Sequence, residues 1–271
     1  MDDKIGIIGC GNMGEAIAKG IIYANVISGR ELYFYDIDRN KSDYLKECLN
    51  ANVTNSSEEL VNDCNVILLA VKPVDVEDLL REIQHLLDSS KFVISIVAGI
   101  TIGRMKKILS EEVRIVRVMP NMAVLANQGI SALCYDDYVS GEDIDLAKKI
   151  FMSIGDIVEV EETHMDAVTA ISGSGPAYFF YLTEMLEKTA ISMGIDKEKA
   201  RLLAVKTAFG SAVLLKDSNL TAEFLRKRVT SKGGTTEAAF QVFQDKKLGE
   251  ILQEGIKAAK ERAKKLSENN Y

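Results

Sequence analysis

The stretch Gly9-Cys10-Gly11-Asn12-Met13-Gly14 decides the fold of this 271-residue chain. It has the G-x-G-x-x-G spacing and lies between a short apolar run, Lys4–Ile8, and a helical pattern, Asn12–Ala24. In such a context the first glycine permits a tight turn, the second lets the backbone approach a pyrophosphate, and the third lets helix and strand pack closely. We therefore expect a dinucleotide-binding loop at the start of the helix, with a ligand-free glycine turn as the alternative.

Outward from this loop, short runs rich in β-branched residues alternate with helical patterns. The predicted strands are Lys4–Ile8, Glu31–Tyr35, Val66–Val71, Phe92–Ile96, Arg114–Val118, Ile130–Cys134 and Ile157–Val160. The predicted helices between them are Asn12–Ala24, Lys41–Asn50, Val76–Leu87, Ile102–Leu109 and Gly141–Met152. Continuous apolar strands separated by helices are typical of a parallel sheet that is covered on both faces. We expect an α/β Rossmann domain, a doubly wound parallel sheet, over residues 1–161.

The pattern becomes purely helical after residue 161. The predicted helices are Asp166–Ile171, Pro176–Met193, Lys197–Lys216, Ala222–Arg228, Glu237–Gln244 and Lys247–Glu268. The helix Lys197–Lys216 is apolar around most of its circumference, so it needs partners on all sides. We expect an all-α C-terminal domain over residues 162–271 that associates with a second copy of the chain. A tightly packed monomeric bundle is the alternative.

Composition excludes several classes of protein. The chain has 33 basic and 40 acidic residues, a net charge of −7, and no long basic run, which argues against nucleic-acid and anionic-membrane partners. The uncharged apolar stretches Asn65–Val71 and Phe92–Thr101 are too short to span a bilayer, and the acidic N-terminus lacks the features of a signal peptide. We therefore expect a soluble, cytoplasmic protein.

Residues that commonly carry catalysis are scarce. The four cysteines show no C-x-x-C spacing, so we predict neither a disulfide framework nor a metal site. Of the two histidines, His85 lies in a helical pattern and is expected to be solvated or half-buried, and His164 is expected to be structural or on the surface. An enzyme with this composition would depend on a bound cofactor for its chemistry.

The residues after the second predicted strand bear on the choice of coenzyme. Asp36 lies 22 residues after the last glycine of the loop, where a carboxylate can bond the adenosine ribose hydroxyls and favour NAD. Arg39 and Lys41 could instead hold the 2′-phosphate of NADP, and Asp36 or Asp38 could be only a helix cap. The residues alone leave NAD and NADP open. Cys10 is expected to be a small packing residue, with a redox-sensing thiol as the alternative.

A second informative stretch runs from Thr230 to Glu237. It has two glycines between hydroxyl residues and opens a predicted helix, which is typical of a nest of N–H and O–H donors for an anion. With the dinucleotide already placed, this anion is most economically the carboxylate of a small substrate. A helix start without a ligand is the alternative.

Five motifs in order and at matching spacing resemble pyrroline-5-carboxylate reductase across essentially the whole chain. They are Gly9–Gly14, Ala70-Val71-Lys72-Pro73, Val116-Arg117-Val118-Met119-Pro120-Asn121, Ile171-Ser172-Gly173-Ser174-Gly175-Pro176-Ala177-Tyr178 and Val229-Thr230-Ser231-Lys232-Gly233-Gly234-Thr235-Thr236. The resemblance implies hydride transfer from NAD(P)H to the ring C=N of 1-pyrroline-5-carboxylate, giving L-proline. It also implies a Rossmann domain, a helical dimerisation domain, and a homodimer that can assemble into a decamer.

The resemblance also assigns residues. The coenzyme, NADP with NAD as the alternative, is expected to contact Gly9, Cys10, Gly11, Asn12, Met13, Gly14, Asp36, Arg39, Ala70, Val71, Lys72 and Pro73. The substrate is expected to contact Ser231, Gly233, Gly234, Thr235 and Thr236. In this family the threonine that matches Thr236 lies within hydrogen-bond reach of the ring nitrogen, so Thr236 is the expected catalytic residue. Many relatives have proline where this chain has Lys232, which either attracts the carboxylate or faces solvent.

The scarcity of acid–base residues fits an imine substrate independently. Ketone reduction creates an alkoxide that needs a proton donor, and hydroxyacid dehydrogenases of similar domain order place a lysine on the helix after the cofactor domain. The corresponding stretch Pro176–Thr183 contains no lysine. A cyclic imine can be protonated beforehand, so the site needs only to position it. The remaining alternatives are a reductase of another imine, a hydroxyacid dehydrogenase, and a non-catalytic NAD(P)-binding regulator.

Overall fold

A computed structural model describes residues 3–268 of the chain. Its strands are β1 Ile5–Ile8, β2 Leu32–Tyr35, β3 Asn52–Val53, β4 Val66–Leu69, β5 Phe92–Ser95, β6 Arg114–Pro120, β7 Gly129–Tyr135 and β8 Gly155–Glu159. Its helices are α1 Asn12–Tyr23, α2 Arg39–Leu49, α3 Ser57–Asp63, α4 Val76–Ile83, α5 Ile102–Ile108, α6 Gly141–Met152, α7 Met165–Val168, α8 Gly175–Ser192, α9 Lys197–Asp217, α10 Ala222–Arg228, α11 Thr235–Asp245 and α12 Leu248–Glu268.

All eight strands form one sheet in the order β3-β2-β1-β4-β5-β6-β7-β8. Strand β1 pairs in parallel with β2 on one side and β4 on the other, so the chain reverses its direction of winding there. Strands β1, β4 and β5 are buried along their whole length, as their continuous apolar sequences predict. One hydrophobic cluster includes residues of α1 and α6, and a second includes residues of α3, α4 and α5. The predicted doubly wound α/β fold is confirmed.

The sheet is not parallel throughout, and this corrects the sequence prediction. Strand β7 runs antiparallel to β6, and β8 is parallel to β7. The connection from Pro120 to Gly129 holds only a short 3-10 helix, Met122–Ala126, and is too short for the helical crossover that parallel neighbours need. A second difference is the pair β3 and α3, which the sequence pattern did not predict.

Contacts divide the described residues into two compact units. Residues 3–173 with 259–268 form the sheet unit, and Ser174–Ala258 form the helical unit. In the sheet unit the last turns of α12 bury Ala263, and the Ser267 hydroxyl lies 3.3 Å from Asp166 Oδ1. Residues 162–173 and 259–268 therefore group with the sheet unit by contacts, whereas the sequence assigns them to the helical domain. A domain boundary at 161/162 stays a prediction.

The helical unit exposes much apolar surface. In α8, Phe179, Phe180 and Leu182 are more than half exposed, and so are Leu202 and Phe209 in α9. Only Ala200 and Ala204 of α9 are buried within the chain, although this helix is apolar nearly all round. Apolar patches of this kind are typical of subunit interfaces. Within residues 3–268, no helix has both the length and the apolarity needed to cross a bilayer.

Candidate functional site

The glycine loop joins β1 to α1 and gives each glycine a separate task. Gly9 has φ +103°, a backbone conformation that side chains disfavour, and its N–H donates to the Tyr35 carbonyl at 2.9 Å. A Cβ on Gly14 would lie 2.1 Å from the Gly9 carbonyl oxygen, so only glycine fits there. A Cβ on Gly11 would meet nothing within 4 Å. Packing therefore requires glycine at position 14. At position 11 the protein leaves open space in which a ligand can approach the backbone.

Gly11 is also the N-cap of α1. Its backbone is extended, at φ −73° and ψ −176°, and it has no side chain with which to cap the helix. The first N–H groups of a helix have no intrahelical acceptor and carry the positive end of the helix dipole. The start of α1 is therefore suited to bind a phosphate.

Asp36 ties the glycine loop to the end of β2. Its Oδ2 accepts from the Cys10 N–H at 2.7 Å and its Oδ1 accepts from the Asp38 N–H at 2.8 Å. Asp38 is the helix cap of the two, because its side chain accepts from the Asn40 N–H at the start of α2. A carboxylate oxygen can accept more than one hydrogen bond, so Asp36 keeps acceptor capacity for a ribose hydroxyl.

The two basic residues after β2 differ in their contacts. Arg39 donates to the Thr54 carbonyl at 3.0 Å and to Asn55 Oδ1 at 3.2 Å, which fixes it to the loop after β3. The Lys41 ammonium lies 3.9 Å from Asp38 Oδ2, is half exposed, and lines the cleft beside the glycine loop. In this structure Lys41 is therefore the better placed of the two to meet a 2′-phosphate.

This cleft has a volume of about 350 Å³ and brings together residues from three predicted segments. Gly9 and Gly11, Asp36, and the stretch Ala70–Lys72 after β4 all line it. Pro73 follows this stretch and opens the next turn, a 3-10 helix, but does not line the cleft. The crevice lies beyond the carboxyl ends of β1 and β4, at the switch point where doubly wound sheets bind ligands.

The cleft also has an acidic wall that the sequence analysis missed. The acidic residues of this wall lie in and just before helix α4, which directly follows the loop after β4. Their place in the sequence was therefore a signal that could have identified the wall. Two lysines and four carboxylates line the cleft, namely Lys41, Lys72, Asp36, Asp75, Asp78 and Glu82. Because these side chains carry net negative charge, a bound pyrophosphate depends chiefly on backbone N–H groups and the α1 dipole.

Cys10 is a buried packing residue. Its side chain lies in the core beside α1, and its Sγ is 3.9 Å from the Tyr35 carbonyl oxygen. Burial, assisted by the negative charge of Asp36, raises the pKa of the Cys10 thiol to about 12. A thiol with so high a pKa is a poor nucleophile at neutral pH, which supports the packing interpretation.

The second predicted site lies in the helical unit, between α10 and α11. Gly233 has φ +72°, and the Gly234 N–H donates to the Ser231 carbonyl at 3.0 Å, so the chain turns tightly here. Gly234 is the extended N-cap of α11 and, like Gly11, has no side chain to cap its helix. Thr235 and Thr236 occupy the first two helical positions and add hydroxyl groups to the exposed N–H donors.

The same loop already holds a carboxylate. Glu237, the third residue of α11, accepts from the Gly233 N–H through Oε2 at 2.6 Å. The sequence analysis gives Glu237 no role and expects Lys232 either to attract the carboxylate or to face solvent; in the structure Lys232 is exposed. The Gly233 amide is thus shown to point at a carboxylate, as expected of an anion nest.

The histidines lie outside both sites. His85 is 60% exposed, with Nε2 3.6 Å from Glu58 Oε1, and His164 is exposed before α7. The solvated position expected of His85 is confirmed, and His164 lies on the surface, which is one of its two expected placements. Residues 3–268 contain no group of three or more histidine, cysteine or acidic side chains arranged to hold a metal ion.

Comparison with known proteins identifies the family. The chain is 33% identical to pyrroline-5-carboxylate reductase 1 of Bacillus subtilis over 269 residues, which cover 98% of this chain and 90% of the relative. The chain belongs to the pyrroline-5-carboxylate reductase family. Residues 162–266 match the family model described as pyrroline-5-carboxylate reductase dimerisation. Residues 4–99 match the model described as NADP oxidoreductase coenzyme F420-dependent.

Solved structures of pyrroline-5-carboxylate reductases have the same fold. The enzyme from Coxiella burnetii has a TM-score of 0.91 at 32% identity, covering 99% of this chain and 100% of that one. The Plasmodium falciparum enzyme, solved with NADP bound, has a TM-score of 0.88 at 33% identity, and 98% of each chain is covered. The family resemblance and the NADP expected from it are thereby confirmed.

Proposed function

We propose that the chain reduces 1-pyrroline-5-carboxylate to L-proline with NADPH. The observation that carries the proposal is the pair of open helix N-termini at Gly11 and Gly234, one suited to a pyrophosphate and one to a carboxylate. When bound, the reduced coenzyme would supply the hydride that reduces the imine carbon, and the protonated nitrogen would become the amine. Membership of the reductase family supports this reaction.

The coenzyme-binding roles follow from the sheet unit. The N–H groups at the start of α1 bind the pyrophosphate, and Gly11 allows its close approach. Asp36 holds the loop in shape and accepts from the ribose, while Lys41 offers a positive charge to the 2′-phosphate. Ala70, Val71 and Lys72 extend the binding surface along the end of β4.

The substrate-binding roles follow from the helical unit. Ser231 and the segment Gly233–Thr235 bind the substrate carboxylate through N–H and hydroxyl donors, and the α11 dipole favours its negative charge. Thr236 places its hydroxyl at the ring nitrogen and orients the C=N bond. Because the imine nitrogen brings its own proton, orientation is sufficient and no lysine or histidine is required.

The assembly is proposed at two levels. The match to the dimerisation model and the exposed apolar side chains of α8 and α9 indicate that the chain forms oligomers. We propose that the unit is a homodimer and that dimers assemble into a decamer, which sedimentation velocity would test. We further propose a cytoplasmic enzyme without nucleic-acid or membrane partners; the net charge of −7 supports the absence of these partners.

The test measures the loss of NADPH and NADH absorbance when 1-pyrroline-5-carboxylate is added, with a keto acid as the control substrate. We expect oxidation with the imine alone. Oxidation with the keto acid would favour a hydroxyacid dehydrogenase, and coenzyme binding without oxidation would favour a reductase of another imine or a regulator. Thr236→Ala should lower kcat while coenzyme affinity is unchanged, and Thr236→Ser, which keeps the hydroxyl, should retain most activity.

A further inference from the structure

Glu237 accepts a hydrogen bond from the Gly233 N–H, a donor that the proposed function assigns to the substrate carboxylate. Its Oε2 lies 2.6 Å from the Gly233 nitrogen, a short hydrogen bond between a charged acceptor and a backbone N–H. Gly233 belongs to the segment proposed to bind the substrate carboxylate. The protein's own carboxylate and that of the substrate therefore need the same N–H group.

We propose that Glu237 sets the affinity of the substrate site by competing with the substrate carboxylate for the Gly233 N–H. This rests on the proposed function, which places the substrate carboxylate on this loop. The Glu237 side chain is exposed, so it can turn into solvent when a substrate carboxylate arrives. Its binding to Gly233 is intramolecular, so each substrate molecule must displace it, and the apparent affinity is lowered by a constant factor.

The same contact acts as a filter on substrate chemistry. A ring with a carboxylate replaces the hydrogen bond that it displaces with an equivalent one. A neutral imine without a carboxylate cannot replace that bond, so Glu237 stays in place and the neutral ring gains nothing from the nest. Glu237 thus lowers the affinity of every ligand that binds the nest. Only a ligand with a carboxylate can displace Glu237 and form the hydrogen bond with Gly233.

The energetic scale is modest because the contact is exposed. An exposed hydrogen bond with one charged partner contributes a factor of about two to five to an equilibrium. Removing Glu237 also removes a negative charge beside the bound substrate carboxylate, and this loss of repulsion further increases the substrate affinity. The Michaelis constant for the imine should therefore fall by at least about twofold when Glu237 is replaced.

The experiment compares Glu237→Ala and Glu237→Gln with the unaltered full-length enzyme. We expect Glu237→Ala to lower the KM for 1-pyrroline-5-carboxylate and the inhibition constant for L-proline by a similar factor, with the KM for NADPH unchanged. Glu237→Gln, whose neutral amide oxygen accepts more weakly from Gly233, should lower the same two constants by less. Glu250→Gln is the matched control, since Glu250 is an exposed glutamate on α12 paired with Lys247 and lies outside the loop. It should change none of these constants.

A rise in the KM for the imine, instead of a fall, would point to a structural role for Glu237. If Glu237 instead holds the loop in its binding shape, Glu237→Ala will raise the KM for the imine and Glu237→Gln, whose amide oxygen can still accept from Gly233, will restore it. That pattern, or an unchanged KM in both variants, would overturn the proposal. Absence of imine reduction by the unaltered enzyme would instead overturn the proposed function, so the two failures are distinguishable.

Discussion

Gly11 and Gly14 belong to the same motif, yet the structure predicts different effects on stability when each is changed to valine. A Cβ at position 14 would lie 2.1 Å from the Gly9 carbonyl oxygen and 3.6 Å from the Ala70 Cβ. The first of these distances is far below any normal contact, and its partner is backbone that cannot rotate away. A Cβ at position 11 meets no protein atom within 4 Å, and the local φ of −73° suits valine.

The magnitudes follow from these contacts. Overpacking against a backbone atom costs about 3 kcal/mol, the upper part of the usual range, so Gly14→Val should lower the melting temperature by about 6–12 °C. Gly11→Val loses only a favourable N-cap residue, about 1 kcal/mol or about 2–4 °C. Its methyl groups fill the space through which a pyrophosphate approaches, so NADPH affinity should fall at least about tenfold.

The assay is thermal unfolding by circular dichroism beside NADPH titration by fluorescence, on both variants and the unaltered chain. Gly11→Val should separate the two readouts, with near-normal melting and lost binding. Gly14→Val should lose both, because the displaced Gly9 carbonyl also disturbs the loop. Retained NADPH affinity in Gly11→Val, or unaltered melting in Gly14→Val, would show that the loop has been misinterpreted.

Three further predictions concern charge and protonation. Asp36→Ala removes a ribose acceptor and a negative charge from the cleft, so kcat/KM should fall more for NADH than for NADPH, and an unchanged ratio would refute this role. Lys106→Met breaks the ion pair of Lys106 with Asp136 and should lower unfolding free energy by about 2–3 kcal/mol in urea denaturation. Burial raises the pKa of Cys10 from 9.0 to about 12. Below pH 9 the thiol is protonated in both states. Above it the unfolded chain loses a proton that the folded chain keeps, so this thiol contributes a fall in stability of about 1.4 kcal/mol per pH unit, and Cys10→Ala should remove that contribution from the slope.

Sequence patterns predicted the centre of the sheet because strands β1, β4 and β5 are buried along their whole length. The uninterrupted apolar run Val66–Leu69 avoids water on both faces only inside the sheet, and the neighbouring strands β1 and β5 have the same character. Helices with strong caps were also predicted well, and α6 and α10 begin and end where expected. Both start after a hydroxyl residue, Ser140 or Thr221, whose side chain accepts from a backbone N–H of the first turn.

The missed elements are short. Strand β3 is only Asn52–Val53, and α3 has seven residues with the apolar pair Leu60 and Val61, too few for a period to emerge. Its cap was nevertheless visible, since Ser56 is followed three residues later by Glu59 and accepts from the Glu59 N–H. Strand β7 was predicted from its mostly apolar residues, but such a run carries no information about strand direction.

Motifs located the candidate site better than they assigned its contacts. The loop at Gly9 and the nest at Gly233 were found from spacing, because backbone conformation restricts which residues fit. The partners of Asp36, Arg39 and Glu237 depend on which way each side chain turns once the chain has folded. A sequence gives their charge but not whether that charge meets a backbone N–H, a carbonyl or a ligand.

The two proposed anion sites use the same physical device, and it differs from most other helix starts in the chain. Within residues 3–268, six helices, α2, α3, α5, α6, α9 and α10, are capped by a serine, threonine or aspartate side chain. Helices α1 and α11 instead begin at an extended glycine. A side-chain cap typically stabilises a helix by about 1 kcal/mol, but it also occupies the N–H donors that an anion would need. Glycine gives up little of that stability, since it costs only a few tenths of a kcal/mol relative to serine, and it leaves the donors open. Selection for stability alone would therefore have little reason to prefer glycine at both positions, whereas selection for phosphate and carboxylate binding would.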